Sequence, residues 1–250
     1  MAKIKTSKGD IYFRQKFLFP GCHQINRQIA FDNLCVINSV LAEKSIYWGA
    51  VYGTLLGIYR DGDFIEWDED TDLYILEEEE ELFKGVICDL IKAGFELIRY
   101  ERAGLYSFLR NGEYVDFYVL NKLSDEIRLT SDGGLIFERF IKERSVFDFK
   151  GQKIYVPKDI EEFLSFQYGE WQKPVRFFPP KVGAYKLFVN KLYWYFRLYS
   201  PGFLYYWWLK RLRIKIDLPN FKLKCQKKGY SFNENFTMEY HKLSKSRDLR

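Results

Sequence analysis

Aspartates recur at every second position as Asp68, Asp70 and Asp72, and the chain then enters the apolar run Leu73, Tyr74, Ile75, Leu76. In an extended strand alternate side chains share a face. Asp70 and Asp72 are therefore expected to point the same way, about 7 Å apart at Cα, while Thr71, Leu73 and Ile75 point toward a core. Two carboxylates held side by side repel each other, and a divalent cation between them is the simplest relief. A third carboxylate comes from the strand-like run that holds Tyr114, Val115, Asp116, Phe117, Tyr118, Val119 and Leu120, where Val115, Phe117 and Val119 form the apolar face and Asp116 points opposite. Oxygen ligands from two strands suit Mg²⁺ or Mn²⁺, so Asp70, Asp72 and Asp116 are the expected metal ligands. A lone pair of alternating aspartates is more often a solvated strand end. The third acid and the small-residue turn before the pair favour a site.

That turn is Gly53, followed by Thr54, Leu55, Leu56 and Gly57. The aromatic and β-branched segment 47–52 reads as the preceding strand, and Thr54 is expected to open a short helix whose backbone N–H groups face a phosphate. Gly53 lets the backbone come close. Arg60, about a turn and a half further on, offers a charged fork for a pyrophosphate; the competing role is a surface pair with Asp61 or Asp63.

Taken together, GTLLG, then Arg60, then FIEWDEDTD, then YVDFYVL resemble the LicD family, which includes fukutin and fukutin-related protein, over about residues 29–171. The resemblance implies an α+β fold with a mixed sheet of the nucleotidyltransferase type flanked by helices. It also implies transfer of a phosphorylated group, such as phosphocholine or a phospho-alditol, from a CDP-linked donor to a sugar hydroxyl of a glycan, with release of CMP. Under that reading Asp70, Asp72 and Asp116 hold the metal, Gly53, Thr54 and Arg60 hold the donor, and Asp68 or Asp116 takes the hydroxyl proton. The family usually has Pro before the Trp and three consecutive Asp after it, where this chain has Glu66 and then Asp68, Glu69, Asp70. This departure bears on donor specificity more than on the metal site. A nucleotidyltransferase that adds a nucleotide to RNA, a small molecule or a protein fits the same acids. A non-catalytic glycan- or lipid-binding module would be expected to have lost them.

The chain of 250 residues is long enough for one catalytic domain and an appendage. Cys22, Cys35, Cys88 and Cys225 show no paired spacing and only His23 and His241 accompany them, which argues against a zinc cage and for reduced thiols in the cytosol. The first residues carry lysine but no apolar core of a signal peptide, and the longest uncharged stretch, 198–209, falls short of the ~20 apolar residues of a spanning helix.

The elements expected to position the acids are a helix over 25–44, a helix opening at the five acids 77–81 and ending at Gly94, and strands over 95–100, 105–110 and 114–120 with Asn111-Gly112 as a hairpin turn. The five acids are read as a solvated first turn. Residues 1–24 read as an irregular lead-in closed by Pro20-Gly21, and 121–156 as two or three short strands. A helix over 160–167 starts at Asp159 as its cap, with Lys158 and Tyr168 read as scaffold.

From 181 onward the composition changes. Residues 181–228 hold twelve Lys or Arg against one acid, Asp217, in a chain whose total is +5, interleaved with aromatics from Tyr185 to Trp208. The expected division is a catalytic domain over 1–180 and a basic aromatic extension over 181–250. Such a mixture suits the anionic inner face of a membrane, beside a lipid-linked acceptor. Nucleic acid is a weaker fit, and a helical pair covering the core is the plain alternative.

Overall fold

The computed structural model describes residues 1–16, 23–176 and 183–233. The Pro20-Gly21 turn, Cys22, His241 and the 180/181 boundary lie outside them.

The chain opens not as an irregular lead-in but as a hairpin of β1 (Ala2–Thr6) and β2 (Gly9–Phe13). Its alternation places Ala2, Ile4 and Phe13 in the core, a pattern that the interleaved lysines disguise in the sequence. Helix α1 (Arg27–Glu43) follows, with the Asn26 side chain accepting from the Ile29 N–H. It buries Ala30, Leu34, Ile37 and Leu41 at helical spacing. Then come β3 (Trp48–Ala50), α2 (Tyr52–Arg60), β4 (Thr71–Leu76), a 3-10 turn Glu77–Glu79 and α3 (Glu80–Lys92). Strands β5 (Glu96–Glu101), β6 (Leu105–Arg110) and β7 (Glu113–Lys122) complete the central sheet, and β8 (Ile127–Leu129) and β9 (Leu135–Phe137) extend it.

The sheet runs β3-β4-β7-β6-β5, with β8 paired to β7 and β9 to β8. Strands β4 and β7 are parallel while their other partners are antiparallel, so the fold is α+β around a mixed sheet. Asn111 and Gly112, at φ 53° and 88°, form the two-residue turn that joins β6 to β7 in register from Arg110 opposite Glu113, as the left-handed hairpin turn requires. Leu73, Ile75, Val115, Phe117 and Val119 are fully buried, so the strands face the core with the residues expected to do so.

The segment 121–157 is richer than the two or three strands expected. Beyond β8 and β9 it holds α4 (Glu138–Lys142) and a hairpin of β10 (Arg144–Phe149) and β11 (Gln152–Pro157). Helix α5 (Ile160–Tyr168) follows, with Asp159 at the cap position, but its side chain makes no capping bond; the backbone carbonyl alone receives the Phe163 N–H.

The acids at 77–81 are only in part a solvated face, with Glu78 and Glu81 exposed. Glu80 is buried and accepts from the Tyr106 hydroxyl, Glu77 accepts from the Lys122 N–H, and Glu78 pairs with buried Arg128, which Glu138 also engages. A buried guanidinium requires such partners, and no local pattern at 77–81 announces it.

Helices α6 (Ala184–Tyr199), α7 (Gly202–Leu212) and α8 (Leu218–Lys228), with a π-helical turn Arg213–Asp217 between the last two, make up the basic aromatic segment. Part of it covers the core: Tyr205, Tyr206, Leu209, Phe221 and Cys225 belong to the same buried cluster as the sheet. Arg102 caps the end of α6 by donating to the Arg197 and Ser200 carbonyls, and Arg213 donates to the Ser131 carbonyl. No helix among the described residues is long and apolar enough to cross a membrane.

Candidate active site

Asp72 stands in β4 directly opposite Asp116 in β7, in the parallel register that also pairs Leu73 with Phe117. Strands β5 and β6 lie between them in the chain, and the crossover through α3, β5 and β6 makes them neighbours. Asp70 lies in the bend just before β4, and Asp68 and Asp70 are half-buried. Asp116 is 1% exposed and Asp72 7%, so two carboxylates are closed off from water while two stand at the rim.

Their protonation follows from that placement. Burial and then Asp70, Asp68 and Asp116 push the Asp72 carboxyl well up. Burial followed by Asp116 and Asp68 does the same to Asp70. For Asp116 burial is again the larger effect, opposed by the Arg99 guanidinium and the Ser107 hydroxyl. Asp68 is raised to about 6, chiefly by burial. All four carboxyls are raised chiefly by burial, and repulsion between the acids adds to it at Asp70 and Asp72.

Arg99 of β5 supplies the cation that sequence reading overlooked. Its guanidinium donates to Asp116 Oδ2 at 2.5 Å and to the Ser107 hydroxyl at 2.8 Å. An arginine in a strand reads as solvent-facing; only the order β7-β6-β5 carries it across to Asp116. Asp116 Oδ1 remains buried with no hydrogen-bond partner among the described residues. That orphaned oxygen and an all-carboxylate donor set fit a hard divalent cation. The acids are not a closed cage, however: among the described residues no three His, Cys, Asp or Glu side chains form a group that could hold a metal ion as placed.

Two of the three expected donor-binding residues, Gly53 and Thr54, are drawn into holding the acids. Gly53 lies in the first turn of α2, which begins two residues earlier than expected, at Tyr52 with φ 52°. Its amide supports the Asp72 carboxylate, and a Cβ added to it would stand 2.2 Å from Asp68 Oδ2. Glycine is needed here because the Asp68 carboxylate lies where a side chain would be. The buried Thr54 hydroxyl accepts from the Asp72 N–H at 2.8 Å, fixing β4 to α2. Arg60, seven residues along the helix and thus about 10 Å away by the helical rise, makes a two-pronged pair with Asp61 at 2.7 Å and donates to the Trp171 carbonyl. Its side chain is only 9% exposed, so the pair with Asp61 is largely shielded from water.

Tyrosines surround the acids. Burial and then Asp72 and Asp68 push the Tyr168 phenol up, although its ring is partly exposed at the end of α5. Tyr114 responds in the same direction to burial, Asp70 and Glu69, and Tyr118 to burial, Asp72 and Asp116. Reading Tyr168 as scaffold missed its place at the rim. Lys158, by contrast, pairs with Glu143 at 2.5 Å in the open, a scaffold role as expected. His23 meets Glu113 at 2.8 Å and lies by the Tyr114 ring.

The acids thus stand on two neighbouring parallel strands of a mixed sheet, with β4 fastened to α2 through Thr54. Residues 46–159 match the family model described as LicD/FKTN/FKRP, nucleotidyltransferase domain. Over those residues the chain resembles that family, and the match supports a transferase role. No curated protein sequence matches the chain. Among solved structures it is similar to the lincosamide antibiotic adenylyltransferase LnuA bound to lincomycin, at 16% identity over 64% of this chain and 93% of that one, TM-score 0.41. It is also similar to the antibiotic-resistance factor ANT(2'')-Ia, at 13% identity over 82% of this chain and all (100%) of that one, TM-score 0.44.

Proposed function

We propose that the chain transfers a phosphorylated group, phosphocholine or a phospho-alditol, from a CDP-linked donor to a sugar hydroxyl of a glycan and releases CMP. The observation that carries this reading is the opposed pair Asp72 and Asp116 with Asp70 ahead of them, within the residues that match the LicD family model. Asp70, Asp72 and Asp116 would hold Mg²⁺ or Mn²⁺, which supplies charge neutralisation for a pyrophosphate.

Each acid has its own task. Asp116 is fixed by Arg99 and closed off from solvent, which suits a ligand whose charge must stay put. Asp68 is half-buried with a carboxyl raised to about 6, close to the working pH that favours a general base. We therefore assign the acceptor proton to Asp68. Tyr168, partly exposed beside the acids, presents its ring for the sugar or base of the substrates.

The deciding experiment supplies the purified chain with CDP-choline or a CDP-alditol, a glycan acceptor and Mg²⁺, and follows nucleotide products. CMP formed in step with modified acceptor supports the reading. Pyrophosphate formed from a nucleoside triphosphate, with none from the CDP-linked donors, overturns it in favour of nucleotide addition.

A further inference from the structure

Twelve aromatic residues fall between Tyr185 and Trp208, and the fold divides them. Trp194, Tyr205 and Tyr206 turn inward. On α6 the outward residues Tyr185, Phe188, Val189 and Leu192 fall at i, i+3, i+4 and i+7, one stripe of a helix, and all are exposed, Tyr185 at 81% and Phe188 at 60%. With Tyr195 and Tyr199 continuing it, the stripe is about 120° wide at 3.6 residues per turn. Trp194 and Leu198 lie on the opposite side and face the protein. This helix is therefore apolar both toward the core and away from it. Helix α7 exposes Phe203 at 80% and Trp207 at 56%.

The charges around the stripe are of one sign. Lys186 and Lys191 are exposed on its two flanks, Lys210 and Arg211 are exposed on α7, and no Asp or Glu occurs from 183 to 216. We infer that the outward faces of α6 and α7 dock on an anionic lipid bilayer, the apolar stripe entering the headgroup boundary and the lysines meeting lipid phosphates. Tyrosine and tryptophan suit that boundary because each has an apolar body and a polar tip, and basic flanks are the charge complement of anionic headgroups. A second copy of the chain fits less well, since pairing this face with itself sets lysine against lysine. Nucleic acid fits less well too, because Val189 and Leu192 offer nothing to a stacked base.

The docked face is tied to the acids through β5. Glu101 pairs with Arg197 of α6, Arg102 caps the α6–α7 turn, and Arg99 two residues before engages Asp116. Docking would thus hold the acid cluster beside an acceptor carried on lipid. That consequence rests on the proposed transfer reaction; the docking itself does not.

The test is co-sedimentation of the full chain with vesicles of phosphatidylcholine alone or mixed equally with phosphatidylglycerol, with no donor or acceptor present. The full chain should bind the mixed vesicles, and binding should weaken in high salt without vanishing. Phe188→Asp with Leu192→Asp should weaken it by at least about tenfold, and so should Lys186→Glu with Lys191→Glu, at unchanged melting temperature. A chain that ignores the mixed vesicles overturns the inference, as does a Phe188→Asp, Leu192→Asp variant that binds them as the parent does. So does a dimer in solution that these substitutions split while vesicle binding is absent.

Discussion

Asp72 and Asp116 are held together at a cost that the fold does not recover by itself. Because burial and mutual repulsion raise these carboxyls, with Asp68 near 6, the folded chain keeps protons that the unfolded chain has released at the ordinary carboxylate range near pH 4. Linkage then makes stability fall as pH rises from about 4 through about 6, the reverse of a salt-bridged acid. In thermal melts the metal-free chain should melt higher near pH 5 than near pH 8, and Mg²⁺ should raise the melting point more at the higher pH. Equal melting at both, with or without Mg²⁺, would show that the acids neither repel nor bind a cation. Asp72→Asn should raise the metal-free melting point near pH 8 and lower turnover at least a hundredfold, about 2.7 kcal/mol on the barrier, as measured by steady-state kinetics. Arg60 carries a different expectation because Asp61 and the Trp171 carbonyl already engage it. Arg60→Ala should cost about 1 kcal/mol of stability and leave CDP affinity within about twofold by calorimetry; a loss of an order of magnitude would return it to the donor site.

At the scale of elements, the start of α2 decides how Asp68 and Asp72 stand. Tyr52 enters the helix at positive φ, a strained conformation for a bulky residue, and Gly53 then leaves room for the Asp68 carboxylate. Gly53→Ala forces that carboxylate aside, and since it is the end of a side chain, rotation is the cheap response. The variant should fold with a melting point close to the parent while kcat drops about tenfold or more, the size expected when a positioned base is lost. Retained kcat would remove Asp68 from the reaction. The parallel pairing of β4 with β7 is the other deciding element, since a slip of one residue would turn Asp116 to the opposite face. The buried Leu73, Ile75, Phe117 and Val119 forbid that slip.

Across the whole molecule, the basic helices are both cover and surface. Arg102, 2% exposed, lies over the Tyr205 ring and holds the end of α6 through the Arg197 and Ser200 carbonyls. Arg102→Ala leaves buried carbonyls unpaired at about 1–3 kcal/mol each, so urea titration should show a loss of about 2–5 kcal/mol. A change below about 0.5 kcal/mol would mean that the helices are only loosely attached.

By itself the sequence determined the strands and helices with clean periodicity: α1, the run β5-β6-β7 with its Asn111-Gly112 turn, and the two-faced strand that carries Asp72. These were legible because one apolar face repeats at a fixed period and left-handed turns demand particular residues. Asp72 and Asp116 stood out for a similar reason, as charges set into otherwise apolar strands, with Asp68 and Asp70 alternating just ahead of β4, and their motifs carried the family resemblance. The hairpin β1-β2 and the partnered acids 77–81 were not, because charged residues there take their meaning from distant partners such as Arg128. Only the tertiary structure decided that Arg99 meets Asp116, that Arg60 turns away to Asp61, and which aromatics of α6 and α7 face water. Those outcomes depend on strand order and on which helix face meets the core, and neither is written in any local stretch of chain.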